Sequence, residues 1–231
     1  MADFNTHILG ATVVVSLGAT CCTKLLGLSM TDGLMLTVAG LVGGILPDID
    51  LKQSQPSRLL FSLLGLVAAL AWLFANLPSY SGLELWFGSL AVYLIVRFPL
   101  WWLFHTITTH RGILHSLIAA VMAGVLMSAL AWQFLNTTEL QSWLLGLFMT
   151  AGYLIHLSLD EIYSVDFSGV KIRRSFGSAL KPMDFHQIPA SCLVLFITGM
   201  AWFWTASYTV AWDQWQLLFT DWRPALLPSW L

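Results

Sequence analysis

Long apolar runs separated by short polar breaks dominate the hydropathy pattern of this chain. Most of the runs approach the roughly 20 residues that an α-helix needs to cross a bilayer. They cover residues 7–29, 33–47, 58–78, 82–105, 112–135, 140–161 and 188–211. Backbone polar groups in lipid must be satisfied within the segment itself, which leaves helices as the structure that fits these runs. We therefore predict an all-α integral membrane protein with about seven transmembrane helices.

The second run, residues 33–47, is the shortest of these helices. Its residues, about 15 in number, would rise only about 22 Å as an α-helix, less than the roughly 30 Å of a hydrocarbon core. Gly40, Gly43 and Gly44 on this run would permit close approach of neighbouring helices. We expect this short helix either to be buried among its neighbours or to be re-entrant.

Composition agrees with a membrane protein, because 58% of the 231 residues are hydrophobic and only 10% are charged. Soluble domains carry about 25% charged residues, so the composition argues against a water-soluble globular fold. A net charge of −2 argues against direct binding of nucleic acid. We see no repeat and no soluble domain, and predict one helical transmembrane domain over residues 1–211. The more polar residues 212–231 are predicted to form a tail along the outer membrane interface.

Alternation of the helices across the bilayer gives an unequal distribution of basic residues. Eight of the ten lie on the side where the chain begins, namely Lys52, Arg58, Arg97, Arg111, Lys171, Arg173, Arg174 and Lys181. Cytoplasmic loops of membrane proteins carry such an excess of Lys and Arg. We therefore predict a multi-pass protein with a cytoplasmic amino terminus and an outer carboxy terminus.

The same alternation brings histidines and aspartates to the cytoplasmic side. This set comprises His7, Asp48, Asp50, His105, His110, His115, His156 and Asp160. Ionisable residues that flank or enter apolar helices are expensive and usually functional. Structural histidines would be expected on both sides, whereas all six in this chain fall on one. The pattern predicts a cluster with a common role at the cytoplasmic face.

Local spacing identifies the strongest pairs in this set. His156 and Asp160 are four residues apart, so they share a helix face and can hold one ion together. Asp48 and Asp50 follow Pro47, where the chain leaves a helix. In an extended segment the two carboxylates would point in opposite directions, and in a turn they can converge.

Several histidines have alternative interpretations. His110 and His115 are five residues apart, about 140° around a helix, so both can ligate one ion only if His110 lies in the entry turn. His7 and His105 are also explained as interfacial anchors at helix ends. His186 is interpreted as an ordinary loop residue or a substrate contact.

Imidazole and carboxylate donors without thiolates suit zinc, manganese or iron better than magnesium or calcium alone, and we place zinc first. The predicted ligands are His7, Asp48, Asp50, His110, His115, His156 and Asp160. They exceed the three protein ligands of a single catalytic zinc, which favours two ions, or one ion with separate acid–base residues. Two ions about 3.5–4 Å apart are the usual arrangement for phosphoester cleavage.

Arg111 and Asp50 are the predicted catalytic residues. Arg111 lies between two histidines and is suited to hold a phosphate or a developing negative charge. Its alternative interpretation is one more positive residue at the inner face. Asp50 is the acid–base candidate beside the metal ligands.

Three motifs in this order resemble the YdjM-like family of inner-membrane proteins. They are Pro-Asp-x-Asp at residues 47–50, His-Arg-Gly-x-x-His-Ser at 110–116 and His-x-x-x-Asp at 156–160, preceded by Thr6-His7 with Gly10. The resemblance covers roughly residues 4–190. Members are described as candidate metal-dependent hydrolases, and in one naming tradition as LexA-binding. It implies a bacterial inner-membrane protein with metal ligands among the seven residues named above.

The same family is thought to be distantly similar to zinc-dependent phospholipases C, which would favour phosphoester chemistry. Two segments depart from the family pattern. Leu114 stands where a threonine often precedes the second histidine, and residues 161–166 replace a continuation that contains threonine and glycine. Both departures lie beside the predicted site, so they affect the choice of substrate more than metal binding.

Three functions compete at this stage. The first is a membrane-embedded metal-dependent hydrolase that cleaves a phosphoester of a lipid or amphiphile at the cytoplasmic leaflet. The second is a non-catalytic scaffold, clipped by metal, that recruits a cytoplasmic protein partner. The third is a metal or proton transporter, since intramembrane His and Asp residues also line ion paths. The lipid bilayer is the one partner common to all three.

Overall fold

The computed structural model describes residues 4–52, 54–108, 112–166, 171–172, 180–209, 212–213 and 216. The α-helices are α1 (Phe4–Leu26), α2 (Met30–Ile45), α3 (Gln55–Asn76), α4 (Gly82–Ile95), α5 (Trp101–Ile107), α6 (Leu117–Phe134), α7 (Glu139–Ile162) and α8 (Ile188–Trp202). A 3₁₀-helix, Leu46–Asp50, follows α2, and a π-helix, Val96–Leu100, joins α4 to α5. Two-residue strands, β1 (Val165–Asp166) and β2 (Lys171–Ile172), form an antiparallel pair after α7.

The predicted all-α membrane fold is confirmed. Helical segments long and apolar enough to cross a membrane are Phe4–Leu26, Met30–Asp50, Gln55–Asn76, Gly82–Thr106, Leu117–Phe134 and Glu139–Ile162. The apolar helix α8 is shorter, at 15 residues. These seven segments correspond one to one with the seven apolar runs, because α4, the π-helix and α5 together form a single span.

The second helix is longer than the sequence predicted. The sequence places a polar break between the run that ends at residue 29 and the run that begins at residue 33, but residues 29–32 form the cap and first turn of this helix. The Asp32 N–H donates to Ser29 Oγ at 3.1 Å, and the Ser29 N–H donates to the Asp32 carboxylate at 2.9 Å. This reciprocal capping box satisfies exposed N–H groups and starts the helix earlier. With the 3₁₀ turn at its end, the segment reaches 21 residues.

The chain divides into two compact units, one of Met1–Pro47 with Ile113–Leu231 and the other of Asp48–Gly112. In the first unit, α7 packs against α1, α2 and α6, and α6 packs against α8. In the second unit, α3 packs against α4 and the π-helix. The single domain over residues 1–211 and the outer tail over 212–231 stay predictions, and most of the tail lies outside the described residues.

Glycines bring α2 and α7 into backbone contact in the first unit. A Cβ added at Gly152 would overlap the carbonyl oxygen of Gly40, and a Cβ at Gly43 would overlap the carbonyl oxygen of Met149. Gly40, Gly43 and Gly44 are all buried. One face of α2 is therefore buried, while Leu34 and Val38 on the same helix are exposed, and the choice between a buried and a re-entrant helix stays a prediction. Close packing holds the last turns of α2 against the middle of α7.

The hairpin of α6 and α7 provides a test of topology. Its turn contains Asn136, which has a positive φ of 50°, while His115 and Asp160 lie at the opposite end of the hairpin. A reporter inserted at Asn136 should report the outer compartment and one at Gly169 the cytoplasm, because the alternation of apolar runs in the sequence assigns eight of ten basic residues to the histidine side. A cytoplasmic signal at Asn136 would contradict the predicted orientation.

Candidate metal centre

Four of the predicted ligands lie together at one end of the first unit. His7 comes from the start of α1, His115 from the turn before α6, and His156 and Asp160 from the last turns of α7. All four side chains are buried, with between 0% and 2% of each residue exposed. Burial of so many ionisable groups is unfavourable unless they pair or hold an ion.

The Asp160 carboxylate lies between two imidazoles. Its Oδ1 is 3.3 Å from His7 Nε2, and its Oδ2 is 3.7 Å from His115 Nε2. A carboxylate flanked in this way could balance the charge of a divalent cation, because each of its oxygens lies near an imidazole nitrogen. Asp160 is therefore the centre of the cluster.

The three imidazole rings lie close together beside that carboxylate. The His7 and His156 rings are nearly parallel, 3.7 Å apart and inclined by 9°. The His115 ring meets His156 edge-on, with centroids 6.0 Å apart. One donor atom from each of His7, His156 and Asp160 lies within 4.8 Å of the others. Donors bound to one zinc at about 2.1 Å would be roughly 3.4 Å apart, so a small movement would close this trio on an ion.

His7 supplies a further indication that the residues fit a metal. Its Nδ1 atom is buried and has no hydrogen-bond partner among the described residues. A buried polar nitrogen left in this state is unfavourable. A bound cation or an ordered water would satisfy it.

The main chain of α2 orients His156. The His156 Nδ1 atom lies 2.7 Å from the carbonyl oxygen of Gly44. A carbonyl oxygen only accepts, so Nδ1 is the protonated donor, and in the neutral ring Nε2 carries the lone pair that a metal needs. Metal-ligating histidines usually have their second nitrogen held in this way.

One face of α7 carries most of the centre. Asp160 follows His156 by four residues, as the sequence predicted, and Tyr153 precedes His156 by three. The Tyr153 hydroxyl donates to the carbonyl oxygen of Leu114, the residue just before His115. Tyr153 therefore connects α7 to the turn that presents His115. Tyr153 lies three residues before the His-x-x-x-Asp motif, and this i, i+3 spacing from His156 was the signal that could have assigned its role.

The turn before α6 differs from the predicted helix over 112–135. Helix α6 begins at Leu117, and Ser116 is its N-cap, with the Ala119 N–H donating to Ser116 Oγ at 3.4 Å. His115 therefore lies on a turn and is not held by helical spacing. His110 and Arg111 lie outside the described residues, so their assignments as ligand and catalytic residue stay predictions.

Asp48 and Asp50 lie on the 3₁₀-helix, Leu46–Asp50, and both are buried. At three residues per turn their Cα–Cβ directions differ by about 120°, which is intermediate between the two arrangements considered from sequence. They belong to the second unit, whereas His115, His156 and Asp160 belong to the first. Their participation in the same metal centre stays a prediction.

Two further histidines have structural explanations. His105 Nδ1 donates to the Trp101 carbonyl oxygen at 2.8 Å, and its Nε2 accepts from Ser57 Oγ at 3.2 Å. With both ring nitrogens engaged, this arrangement supports the anchoring interpretation of His105. The His186 side chain is exposed. The main-chain N–H of His186 donates to Asp184 Oδ1 at 3.1 Å, as in an ordinary loop residue.

A loop between β2 and α8 bonds to the first turn of α6, close to His115, a contact that no sequence spacing predicted. Its Lys181 ammonium lies 3.1 Å from the Asp184 carboxylate. Burial raises the pKa of the Asp184 carboxyl, but hydrogen bonds from Lys181 and the His186 N–H, with the Lys181 charge, outweigh burial and hold the pKa below its ordinary value. The Asp184 carboxyl is therefore ionised at neutral pH, and the stability that its lowered pKa contributes is lost as the pH falls below the ordinary aspartate pKa of about 3.9.

Comparison with known proteins identifies the family. A family model described as YdjM inner membrane protein matches residues 1–225. The chain therefore belongs to the YdjM inner membrane protein family, as its motifs suggested, and is a multi-pass inner-membrane protein. No curated protein and no solved structure matches the chain.

Proposed function

We propose that this member of the YdjM inner membrane protein family is a metal-dependent hydrolase that cleaves a phosphoester of a lipid or similar amphiphile at the cytoplasmic leaflet. The observation that supports it is the buried cluster of His7, His115, His156 and Asp160 at one end of the first unit. Clustered imidazoles around a carboxylate match the ligands of hydrolytic zinc, manganese or iron centres.

Residues of the first unit, together with Arg111 and Asp50 as assigned from the sequence, would divide the work at such a centre. Asp160 would supply negative charge, and His7 and His115 would bind on either side of it. His156 would present Nε2, since its Nδ1 is held by Gly44. When bound, a divalent metal supplies Lewis acidity and activates water at neutral pH. Arg111 would stabilise the negative charge that develops on a phosphoryl group, and Asp50 would act in proton transfer.

The position of the cluster along its helices favours an amphiphilic substrate. His7 is the fourth residue of α1, and Asp160 is two residues from the end of α7. Ends of membrane-spanning helices lie at the depth of lipid headgroups. Exposed apolar side chains such as Leu9 and Ile162 flank them. A lipid phosphoester would place its headgroup at the centre and its tails against these apolar surfaces.

The core of the first unit argues against a transporter. Between the histidine cluster and the other end of α7, its buried side chains include Leu144, Leu145 and Phe148. At that other end, Gln141 Nε2 donates to Asp32 Oδ1 at 2.9 Å. Within the described residues, the buried side chains between the two polar ends of α7 are apolar except for hydroxyl groups such as those of Ser128 and Tyr153. None of them is a carboxylate or an imidazole, the groups that line ion paths.

Replacing Arg111 with lysine should separate metal binding from turnover. Lysine keeps the charge but loses the planar fork that matches phosphate geometry. We expect normal metal content and a loss of about 10–1000-fold in turnover, the range for removal of one oxyanion-stabilising donor. The measurement is hydrolysis of short-chain phospholipids and lipid-phosphate analogues by detergent-purified protein with added zinc or manganese.

The outcomes of this assay discriminate between the functions. Full activity in Arg111→Lys would indicate that Arg111 acts only as one more positive residue at the inner face. Metal-loaded wild-type protein that cleaves no phosphoester would contradict the hydrolase proposal and favour the metal-clipped scaffold. Zinc or proton flux in proteoliposomes, abolished by Asp160→Asn, would favour the transporter.

A further inference from the structure

We propose that Asp184 is a positioning residue for His115, acting through residues 180–187, here called the 180–187 loop, and through the first turn of α6. The inference rests on the proposed function, because it concerns the geometry of the same metal centre. Three sets of contacts carry it.

The 180–187 loop is bonded to the start of α6. The Leu117 N–H donates to the Lys181 carbonyl oxygen at 2.9 Å, and the Ile118 N–H donates to the Pro182 carbonyl oxygen at 3.1 Å. These are among the first N–H groups of the helix, which have no partner within the helix itself. The loop therefore satisfies the start of α6 through its main chain, two residues away from His115.

Asp184 holds that loop in shape from within. Only 5% of the residue is exposed. Its carboxylate accepts from the Lys181 ammonium at 3.1 Å and from the His186 N–H at 3.1 Å, so it bonds both sides of the turn. Its own carbonyl oxygen accepts from Ser191 Oγ on α8 at 2.9 Å. The carboxylate thereby holds Lys181 against the main chain at His186, while the main-chain carbonyl oxygen, which any residue would supply, joins the loop to α8.

His115 is then supported from two directions. On one side, the Tyr153 hydroxyl of α7 donates to the carbonyl oxygen of Leu114. On the other, Ser116 pairs with Lys181 of the 180–187 loop in a β-bridge. Because His115 lies on a turn, these two supports replace the regular helical hydrogen bonds that hold His156. Loss of Asp184 removes the constraint on one support and leaves the other in place.

The expected result is a weakened and altered metal centre in a folded protein. Loss of an outer partner of a ligand typically costs 10–100-fold in metal affinity. Asp184 acts on His115 through the loop and does not bond it directly, so we expect the lower end of this range, about tenfold, for Asp184→Ala. The loss should be smaller for Asp184→Asn, which retains an acceptor for the His186 N–H. Lys181→Met, which removes the ion pair and keeps the main-chain bonds, should resemble Asp184→Asn.

The test uses the full chain in detergent, with zinc affinity and the absorption spectrum of the cobalt-substituted protein as readouts. The cobalt spectrum reports ligand geometry and does not respond to a change in overall stability alone. Asp32→Ala is the matched control. Asp32 also makes a tertiary hydrogen bond, to Gln141, but at the other end of the first unit. The Asp32→Ala substitution should lower the thermal stability of the protein and leave the cobalt spectrum unchanged.

Each outcome bears on the inference. Wild-type spectra and affinity in Asp184→Ala would overturn it, as would the same spectral change in Asp32→Ala. If Asp184→Ala does not fold, unchanged spectra in both Asp184→Asn and Lys181→Met would overturn it. A wild-type protein that binds neither ion would contradict the metal centre itself. If the wild-type protein binds both zinc and cobalt, and the variants have the same zinc affinity and cobalt spectrum as the wild type, only the role of Asp184 is rejected.

Discussion

Asp160→Asn should reduce metal affinity by more than about 100-fold, beyond the range seen when only an outer partner of a ligand is lost. Asparagine has nearly the shape of aspartate but carries no charge. Asp160 lies within 3.3 Å of His7 Nε2 and 3.7 Å of His115 Nε2, so the substitution changes the charge at the middle of the cluster. The measurement is bound zinc by elemental analysis, with calorimetric titration of the metal-free protein. His156→Ala should give a comparable loss.

His186→Ala is the matched control for these ligand variants. The His186 side chain is exposed, and its structural contribution is a main-chain N–H that alanine retains. The metal content of the His186→Ala variant should equal that of the wild type. Equal loss in His186→Ala would indicate general unfolding, which helical content measured by circular dichroism would reveal. Full metal binding by Asp160→Asn would show that Asp160 is not a ligand.

Gly152→Ala should damage both the fold and the metal centre. The added Cβ would overlap the carbonyl oxygen of Gly40, which the helix backbones cannot accommodate without separating. Overpacking of this kind costs about 1–3 kcal/mol. Separation of α2 from α7 would also lengthen the bond between His156 and the Gly44 carbonyl oxygen, now 2.7 Å. We expect a lower unfolding temperature in detergent together with weaker zinc binding.

Gly199→Ala on α8 is the control for this substitution. A Cβ at Gly199 would meet nothing within 4 Å. Alanine has the higher helix propensity by up to about 1 kcal/mol, so this variant should be neutral or slightly more stable. Destabilisation of both variants to the same degree would refute the packing argument. Unchanged zinc affinity in a destabilised Gly152→Ala would refute the link between packing and ligand orientation.

Hydropathy and helix alternation were sufficient to predict the seven helices and the convergence of His7, His115, His156 and Asp160. Both depend on patterns that a single sequence carries, namely apolar length and the side on which each polar break falls. The start of α2 was misplaced because Ser29 and Asp32 resemble a break. Only the hydrogen bonds between them show that such polar residues begin a helix.

Other parts of the site have weaker sequence signals. His115 was predicted on a helix because residues 112–135 are apolar, whereas its turn depends on bonds from Tyr153 and from the 180–187 loop. Asp184 is nearly 70 residues from His115 in sequence, and no local spacing relates the two. The acceptor for His156 is a main-chain carbonyl, which is present at every residue and therefore leaves no mark in the sequence.

That main-chain acceptor has a consequence for saturation mutagenesis of this gene. No single substitution can delete the Gly44 carbonyl, so selection for function can act on this bond only through the helix spacing that sustains it. Tolerance at Gly40, Gly44 and Gly152 should therefore follow side-chain volume and be indifferent to polarity. Tolerance at His156 and Asp160 should instead follow the identity of the donor atom. The two profiles would distinguish residues that build the centre from residues that bind within it.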